Sequence, residues 1–346
     1  MPVVKRAGKT ENRLRKVWST AIPDHCAALA WAPDGTALAG AAVSGPITIF
    51  DAPTGKARLE LSGHGFGTVA LDWHPAAPRL ASVGQDGKAR VWDTTTGAEV
   101  LSLAGGAGWV ERVAWSMDGT TLATAAGKKV RLWDAAGAQL REYAGHGGTV
   151  SDLAWRPGAN VLAVAAYGGV SLYESSNPEP VRKFEWKGAP LKLAWSPDGK
   201  ILAHGNQDAT VHFWYADPGE MLQMHGFPSK VRELSWDQSS RFLANGGGPA
   251  VCVWDCGGKG PEGTKPQILV ESEAPLAAIA WQRRGFLIAA GSVDGWVRLW
   301  QPANKKTPLI GSDQVRETAA VVAWSPDDKL LVVGAGSGAV TAYRVV

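Results

Sequence analysis

A tryptophan returns along this chain at an almost constant interval. Trp31, Trp73, Trp115, Trp155, Trp195, Trp236, Trp281 and Trp324 are separated by 42, 42, 40, 40, 41, 45 and 43 residues. Each is answered by a second aromatic 18 or 19 residues later: Phe50, Trp92, Trp133, Tyr173, Trp214, Trp254, Trp300 and Tyr343. A period of roughly 40–45 residues marks one supersecondary unit, repeated and stacked on its neighbours. The fullest copy is Leu193–Gly199, Leu-Ala-Trp-Ser-Pro-Asp-Gly. Length alone would suggest two domains. The repeat overrides it, and residues 14–346 read as one array.

Within a unit the pattern is of short strands and turns. In the second unit Val69–Trp73, Leu80–Val83, Ala89–Trp92 and Glu99–Leu103 read as four strands, with no helical periodicity between them. In the first, the strands Ala28–Trp31, Leu38–Ala42, Ile47–Phe50 and Lys56–Leu61 are punctuated by Pro33-Asp34-Gly35 and Ser44-Gly45. A four-stranded antiparallel meander cannot bury both faces alone. Radial stacking around an axis buries them and leaves only short protected edges. The expected fold is therefore all-β: a closed propeller of four-stranded antiparallel blades, with eight blades expected and seven the alternative. The sixth unit carries a Gly/Pro-rich insertion, Cys256–Pro266, which accounts for the 45-residue interval. The eighth ends at Val346, after its third strand. Leu14–Ala21 alternates like a strand and is the expected supplement that closes the last blade and removes its edge.

Charge is unevenly placed. Residues 1–16 hold Lys5, Arg6, Lys9, Arg13, Arg15 and Lys16 against Glu11, whereas the remainder carries a net −2. Residues 1–13 are expected to be a disordered basic tail. It lacks interleaved aromatics, so nucleic acid is not the expected partner. No apolar run follows the basic residues as in a secretory signal, and none approaches the ~18 residues that span a bilayer. Three cysteines in 346 residues make no disulfide framework. These features suggest a soluble cytoplasmic protein. Heavy use of Ala, Gly and Arg suggests a GC-rich bacterial source.

The chain resembles the WD40-repeat β-propeller family, as a bacterial-type single-domain member. The resemblance rests on the Trp-Asp pairs 92–93, 133–134 and 254–255, the Gly-His pairs 63–64 and 145–146, and the Pro-Asp-Gly turns 33–35 and 197–199. It covers about residues 14–346. Each motif alone is weak; eight units in register are specific. The resemblance implies a hydrogen-bonded tetrad of His, Ser or Thr, Asp and Trp within a blade. By alignment only the second unit is complete, with His64, Ser82, Asp86 and Trp92. The fourth keeps His146 without the Asp. The fifth has Trp186 in place of the His and His204 in place of the Ser.

No catalytic constellation is visible. Gly258–Lys265 reads Gly-Thr-Lys where a phosphate loop needs Gly-Lys-Ser/Thr and a following helix, so it is read as a surface loop. Gly334–Gly338 is read as a turn. Cys252 and Cys256, at i and i+4 on a strand, would stand roughly 13 Å apart, too far for a disulfide. No set of ligands has zinc spacing, so neither a metal nor any other cofactor is expected. His25, beside Cys26, is the first place to seek titratable groups converging on the channel mouth.

The informative positions lie six residues before each repeat Trp, where the innermost strands open onto one face. They are His25, Gly67, Trp109, Thr149, Ala189, Lys230, Pro275 and Thr318. Trp109 stands out by size. Glu111 and Arg232 follow two positions later in their units, and Tyr167 is expected to lie close to Trp109 across one blade boundary. Exposed Trp, Tyr and Arg are what binding hot spots are made of. The leading expectation is a non-catalytic scaffold binding protein partners through Trp109, Glu111 and Tyr167, with Lys230 and Arg232 a secondary site. An enzyme or small-ligand binder using the channel mouth is the alternative, and an accessory partner of metal-handling proteins a third. The loop Cys256–Pro266 is the rival surface, on the opposite face.

Overall fold

A computed structural model describes residues 12–106 and 108–346. Residues 1–11, which hold Lys5, Arg6, Lys9 and Glu11, lie outside the described residues, as does Ala107. Thirty-two strands, β1–β32, form eight four-stranded antiparallel sheets arranged as the blades of a propeller, with no helix among the described residues. Blade 1 is β2 (Cys26–Trp31), β3 (Ala37–Ala42), β4 (Ile47–Asp51) and β5 (Ala57–Leu61). Blade 2 is β6 (Thr68–Trp73), β7 (Arg79–Gly84), β8 (Lys88–Asp93) and β9 (Glu99–Ala104). The innermost strands of blades 3 to 8 are β10 (Val110–Trp115), β14 (Asp152–Trp155), β18 (Pro190–Trp195), β22 (Leu234–Trp236), β26 (Leu276–Trp281) and β30 (Ala319–Trp324). Each of the eight repeat tryptophans is thus the last residue of an innermost strand.

Burial follows radial position. The second strand of a blade is enclosed on both faces by neighbouring blades, so β3, Ala-Leu-Ala-Gly-Ala-Ala, is buried throughout. Alternation is lost there because both faces are core. Small residues dominate because adjacent sheets converge toward the axis. Outer strands are largely exposed, as in β5, where Leu59 is half-buried and only Leu61 is buried. Six innermost strands carry a register shift near the start, in β10 between Val110 and Arg112. The extra residue re-aims the strand where it leaves the channel, and in β10 that residue is Glu111.

A ring of indole hydrogen bonds joins the blades. Trp31, Trp73, Trp155, Trp195, Trp236 and Trp324 donate Nε1–H to the carbonyls of Ala323, Ala30, Ala114, Ala154, Ala194 and Ala280 at 2.9–3.3 Å. Each acceptor is the residue just before the repeat Trp of the preceding blade. Trp115 and Trp281 have buried Nε1 atoms without a partner among the described residues. The corresponding residues before them are Asp72 and Ser235 rather than Ala. Asp72 accepts the backbone N–H of Trp115 at 2.7 Å, and Ser235 that of Trp281 at 2.9 Å. A polar side chain here takes the place of the indole bond. Enclosure by the ring pushes the Asp72 carboxyl up to about 7.

The N-terminal segment clasps three blades. β1 (Leu14–Ala21) pairs antiparallel with β32 (Ala339–Val345), supplying the outer strand of blade 8. Trp18 Nε1–H reaches the carbonyl of Ala52 in blade 1 at 2.9 Å. Asn12 bonds both backbone groups of Ser312 in blade 7, and Arg13 N–H donates to the Ile310 carbonyl. Asn12 and Arg13, counted by sequence with the tail, are held in the ring. Deleting residues 1–21 is expected to cost several kcal/mol, a large share of a typical domain's stability. Deleting residues 1–11 leaves every one of these bonds in place and is expected to leave the thermal midpoint unchanged. Equal melting curves for the two truncations would contradict closure by this strand.

The answering aromatics show how far a blade interior can vary. In blade 2, Trp92 Nε1–H donates to Ser82 Oγ at 2.8 Å, so the Ser82 hydroxyl donates to His64 Nε2, also at 2.8 Å. His64 Nδ1–H then faces Asp86 at 2.8 Å, and Arg90 holds the other Asp86 oxygen at 2.7 Å. Blade 3 keeps only Trp133 on Thr124, and blade 6 only Trp254 on Asn245. In blade 5, Trp214 donates to His204 Nε2, and His204 Nδ1–H donates to Asn206. Burial pushes His204 down to about 3 and His212 down to about 4. Among the described residues His212 has no hydrogen bond at either nitrogen, and it meets the Trp186 ring edge-on at 4.0 Å between centroids.

These depressed histidines tie stability to pH. The unfolded chain takes up protons near pH 6.5 that the fold refuses until about pH 4 or 3. Their contribution is therefore complete above pH 6.5 and lost as pH falls, on the order of several kcal/mol by pH 4. His212→Phe removes no hydrogen bond. It is expected to change stability near pH 7 by less than about 1.5 kcal/mol and to flatten the decline in acid. Urea unfolding of both proteins near pH 7 and near pH 4 checks this; parallel declines would refute it.

Candidate binding surface

Strand direction sorts the loops onto two faces. Each innermost strand starts on the face that also carries the turns between the second and third strands; we call it the upper face. The remaining turns lie on the lower face, including Cys256–Pro266 between β24 (Val251–Asp255) and β25 (Gln267–Leu269).

Trp109, Tyr167, Lys230 and Arg232 are all exposed on the upper face, and Glu111 is half-buried there. Trp109 precedes β10 and is 55% exposed; Tyr167 is 60% exposed, in the turn between β15 (Val161–Ala166) and β16 (Gly169–Glu174). Tyr167 packs over Gly147 and Gly148, where any side chain would collide with it. It stands against the loop entering its own blade, blade 4, while Trp109 stands in the loop entering blade 3. The two aromatics share a face and belong to adjacent blades. Lys230 and Arg232 lie on the segment entering blade 6, away from that pair. His25 is exposed at the start of blade 1, with no metal-ligating cluster among the described residues.

Phe66 was missed by sequence reasoning. Its ring is 86% exposed and its φ is +65°. A left-handed backbone is costly for a bulky residue, and here no burial of the ring offsets it. The Gly67 N–H to His64 carbonyl bond closes the turn around it, and the Gly67 backbone meets the neighbouring turn at Val43, itself exposed. Val43, Phe66 and Trp109 thus form an apolar arc over blades 1 to 3. A lone aromatic between two glycines, Gly65-Phe66-Gly67, was the available signal.

A second group faces the channel. Three residues before each repeat Trp stand Arg112, Asp152, Lys192 and Glu233 in blades 3 to 6, and Ala278, Val321, Ala28 and Ala70 in the other four. Half the wall is charged with alternating sign and half is apolar. Asp152 is buried, accepts Leu193 N–H at 2.9 Å, and pairs with Lys192 at 3.0 Å and Arg112 at 3.8 Å. The charged wall borders a cavity of about 310 Å³ with Ala70, Leu71 and Leu191. The repeat register contained this pattern, but three positions further along than the rim position chosen from sequence, and one beyond Glu111 and Arg232.

The cysteines are poor nucleophiles. Burial pushes Cys26 and Cys256 up to about 12 and Cys252 up to about 11, so all three are thiols at neutral pH.

The strain at Phe66 allows a stability test. Phe66→Asn removes an exposed ring and places there a residue that tolerates the left-handed region. The thermal midpoint is expected to stay level or rise, by up to about 1 kcal/mol of stability. A clear fall would mean that the ring packs on the body of the protein.

Comparison with known proteins points the same way. Residues 55–93, 97–134, 179–215 and 264–301 match the family model of the WD domain, G-beta repeat. Each match runs from the outer strand of one blade through the three inner strands of the next. The chain is 26% identical over 151 residues to eukaryotic translation initiation factor 3 subunit I of Debaryomyces hansenii, covering 38% of this chain and 43% of that protein. It is 29% identical over 115 residues to an uncharacterized WD repeat-containing protein of Schizosaccharomyces pombe, covering 33% and 20%. It is 26% identical over 136 residues to WD repeat and HMG-box DNA-binding protein 1 of Mus musculus, covering 37% and 12%. The chain spans less than half the length of each. Among solved structures, the computationally designed Ika8 protein aligns with a TM-score of 0.83 and 22% identity, over 95% of this chain and 99% of that one. That likeness is one of fold.

Proposed function

Because the chain belongs to the WD40-repeat β-propeller family, whose members are typically protein-interaction scaffolds, we propose that it is a non-catalytic scaffold whose upper face holds a protein partner. The observation that carries this reading is the apolar arc Val43–Phe66–Trp109, with Tyr167 further round the same face. Water gains nothing from these rings, whereas a partner that buries them gains their full apolar area. Rigid aromatics in a shallow ring of polar loops are the usual centre of an interface. Glu111 fixes polarity beside Trp109, and Lys230 and Arg232 provide a separate cationic contact. The near-neutral body favours protein over nucleic acid as the partner. Three unpaired cysteines suit a reducing compartment such as the cytoplasm.

A second reading, a small-ligand binder, is favoured by the channel cluster of Arg112, Asp152 and Lys192. Affinity purification of the tagged protein from its own cell separates the two. Trp109→Ala is expected to weaken partner retention about 30-fold, the effect of losing a 2 kcal/mol hot spot, while the fold is unchanged. Shortening Lys259–Lys265 on the lower face is expected to leave retention intact. Full retention by a folded Trp109→Ala protein, with loss in the loop variant, would move the site to the lower face. Loss only with Arg112→Ala would favour the channel.

A further inference from the structure

Blade 4 contains a slot that blade 2 fills with its own side chains. In blade 2, Asp86, Arg90 and Trp92 occupy the space between the turn and the third strand. In blade 4 the corresponding turn is one residue shorter, Tyr167-Gly168 in place of Gln85–Gly87. Ladder partners show what else changed. Ser82 faces Arg90 in blade 2, and Val164 faces Ser171 in blade 4. Arg90 faces Ser102, whereas Ser171 faces Lys183 on β17 (Arg182–Glu185). Cation and hydroxyl have exchanged strands, the indole has become Tyr173, and the carboxylate is gone.

The result is a cavity of about 470 Å³ beneath Tyr167, lined by His146, Ser171, Tyr173, Lys183 and Trp186 among others. His146 Nδ1–H donates to the Lys128 carbonyl at 2.9 Å, and His146 Nε2 accepts the Tyr173 hydroxyl at 3.2 Å. The imidazole is thereby fully engaged and held neutral by burial. Lys183 forms no ion pair among the described residues, although in blade 2 the equivalent cation holds both Asp86 and Glu99. Glu179, Glu185 and Lys187 complete the rim, also without ion pairs among the described residues.

We propose that this slot binds a carboxylate, supplied by an acidic side chain of the protein partner. The carboxylate takes the space of the missing tetrad Asp, with the Lys183 ammonium and the Ser171 hydroxyl as its donors. Blade 2 shows that the same frame holds a carboxylate beside a cation. Glu179 and Glu185 disfavour a doubly charged anion, so phosphate is rejected. The slot opens at Tyr167 on the upper face, where a bound protein can insert a side chain. Only the source of the carboxylate rests on the scaffold reading; the site does not.

The test follows the His146 imidazole and Ser171 amide resonances of the full chain by NMR, titrated with acetate, inorganic phosphate or the blocked tripeptide Ac-Gly-Asp-Gly-NH2. Acetate and the tripeptide are expected to give saturable shifts at both positions, and phosphate none. Lys183→Ala is expected to weaken acetate binding about tenfold or more, the order of a lost charge-assisted hydrogen bond. Lys183→Arg and Lys187→Ala are expected to retain it. Absent shifts, shifts undiminished in a folded Lys183→Ala protein, or phosphate binding as tightly as acetate would overturn the site. Binding of acetate but not the tripeptide would overturn the side-chain source, leaving partner capture through Trp109 untouched.

Discussion

The indole-to-carbonyl bond that joins six of the eight blades to the one before is the constraint on which the ring depends. A blade is a twisted sheet with two apolar faces, and stacking alone would tolerate a range of tilts and radii. The repeat Trp sets one spacing, because its Nε1–H must reach a carbonyl on the preceding innermost strand. An unbonded indole N–H in the core costs about 1–3 kcal/mol, so the bond is specific as well as favourable. It forms where the residue before the preceding blade's Trp has no polar side chain to take the next backbone N–H instead. Alanine meets that need at the six sites where the bond forms.

The two exceptions show what the constraint is worth and what it can be exchanged for. Asp72 and Ser235 reach the backbone N–H of the next Trp and leave its indole unpaired. One neighbour-to-neighbour hydrogen bond replaces another, and the ring still closes. Closure itself uses the same currency of inter-blade contact. β1 completes blade 8 while Trp18 and Asn12 reach blades 1 and 7.

Within blades the tolerance is wider. The second strand is sealed between neighbours, so a blade needs a polar partner for its answering aromatic but not one particular residue. Ser82, Thr124, His204 and Asn245 serve equally as acceptors for a Trp. That latitude lets one blade keep a complete network, another bury two neutral histidines, and a third leave a cavity. Differences between blades, more than the shared frame, give the upper face its local chemistry.

The repeat was legible because it is set by spacing: eight Trp–aromatic pairs in register imply eight blades, and each Trp does end an innermost strand. The complete tetrad of blade 2 was legible too, since all four side chains come from one unit. Positions that depend on two or more units were not. Tyr167 packs over Gly147 and Gly148, a contact between a turn and an entry loop some 20 residues apart. Phe66 looks like an ordinary loop residue until its backbone is seen in the left-handed region with the ring in solvent. The alternation of Arg112, Asp152, Lys192 and Glu233 acquires meaning only when four strands some 40 residues apart line one channel. By itself the sequence determined the architecture, because hydrophobic periodicity and turn chemistry act locally and repeat. Tertiary structure decided which side chains meet, which cations find a counter-ion among the described residues and which ring stays wet, because those depend on distances between blades that no local pattern encodes.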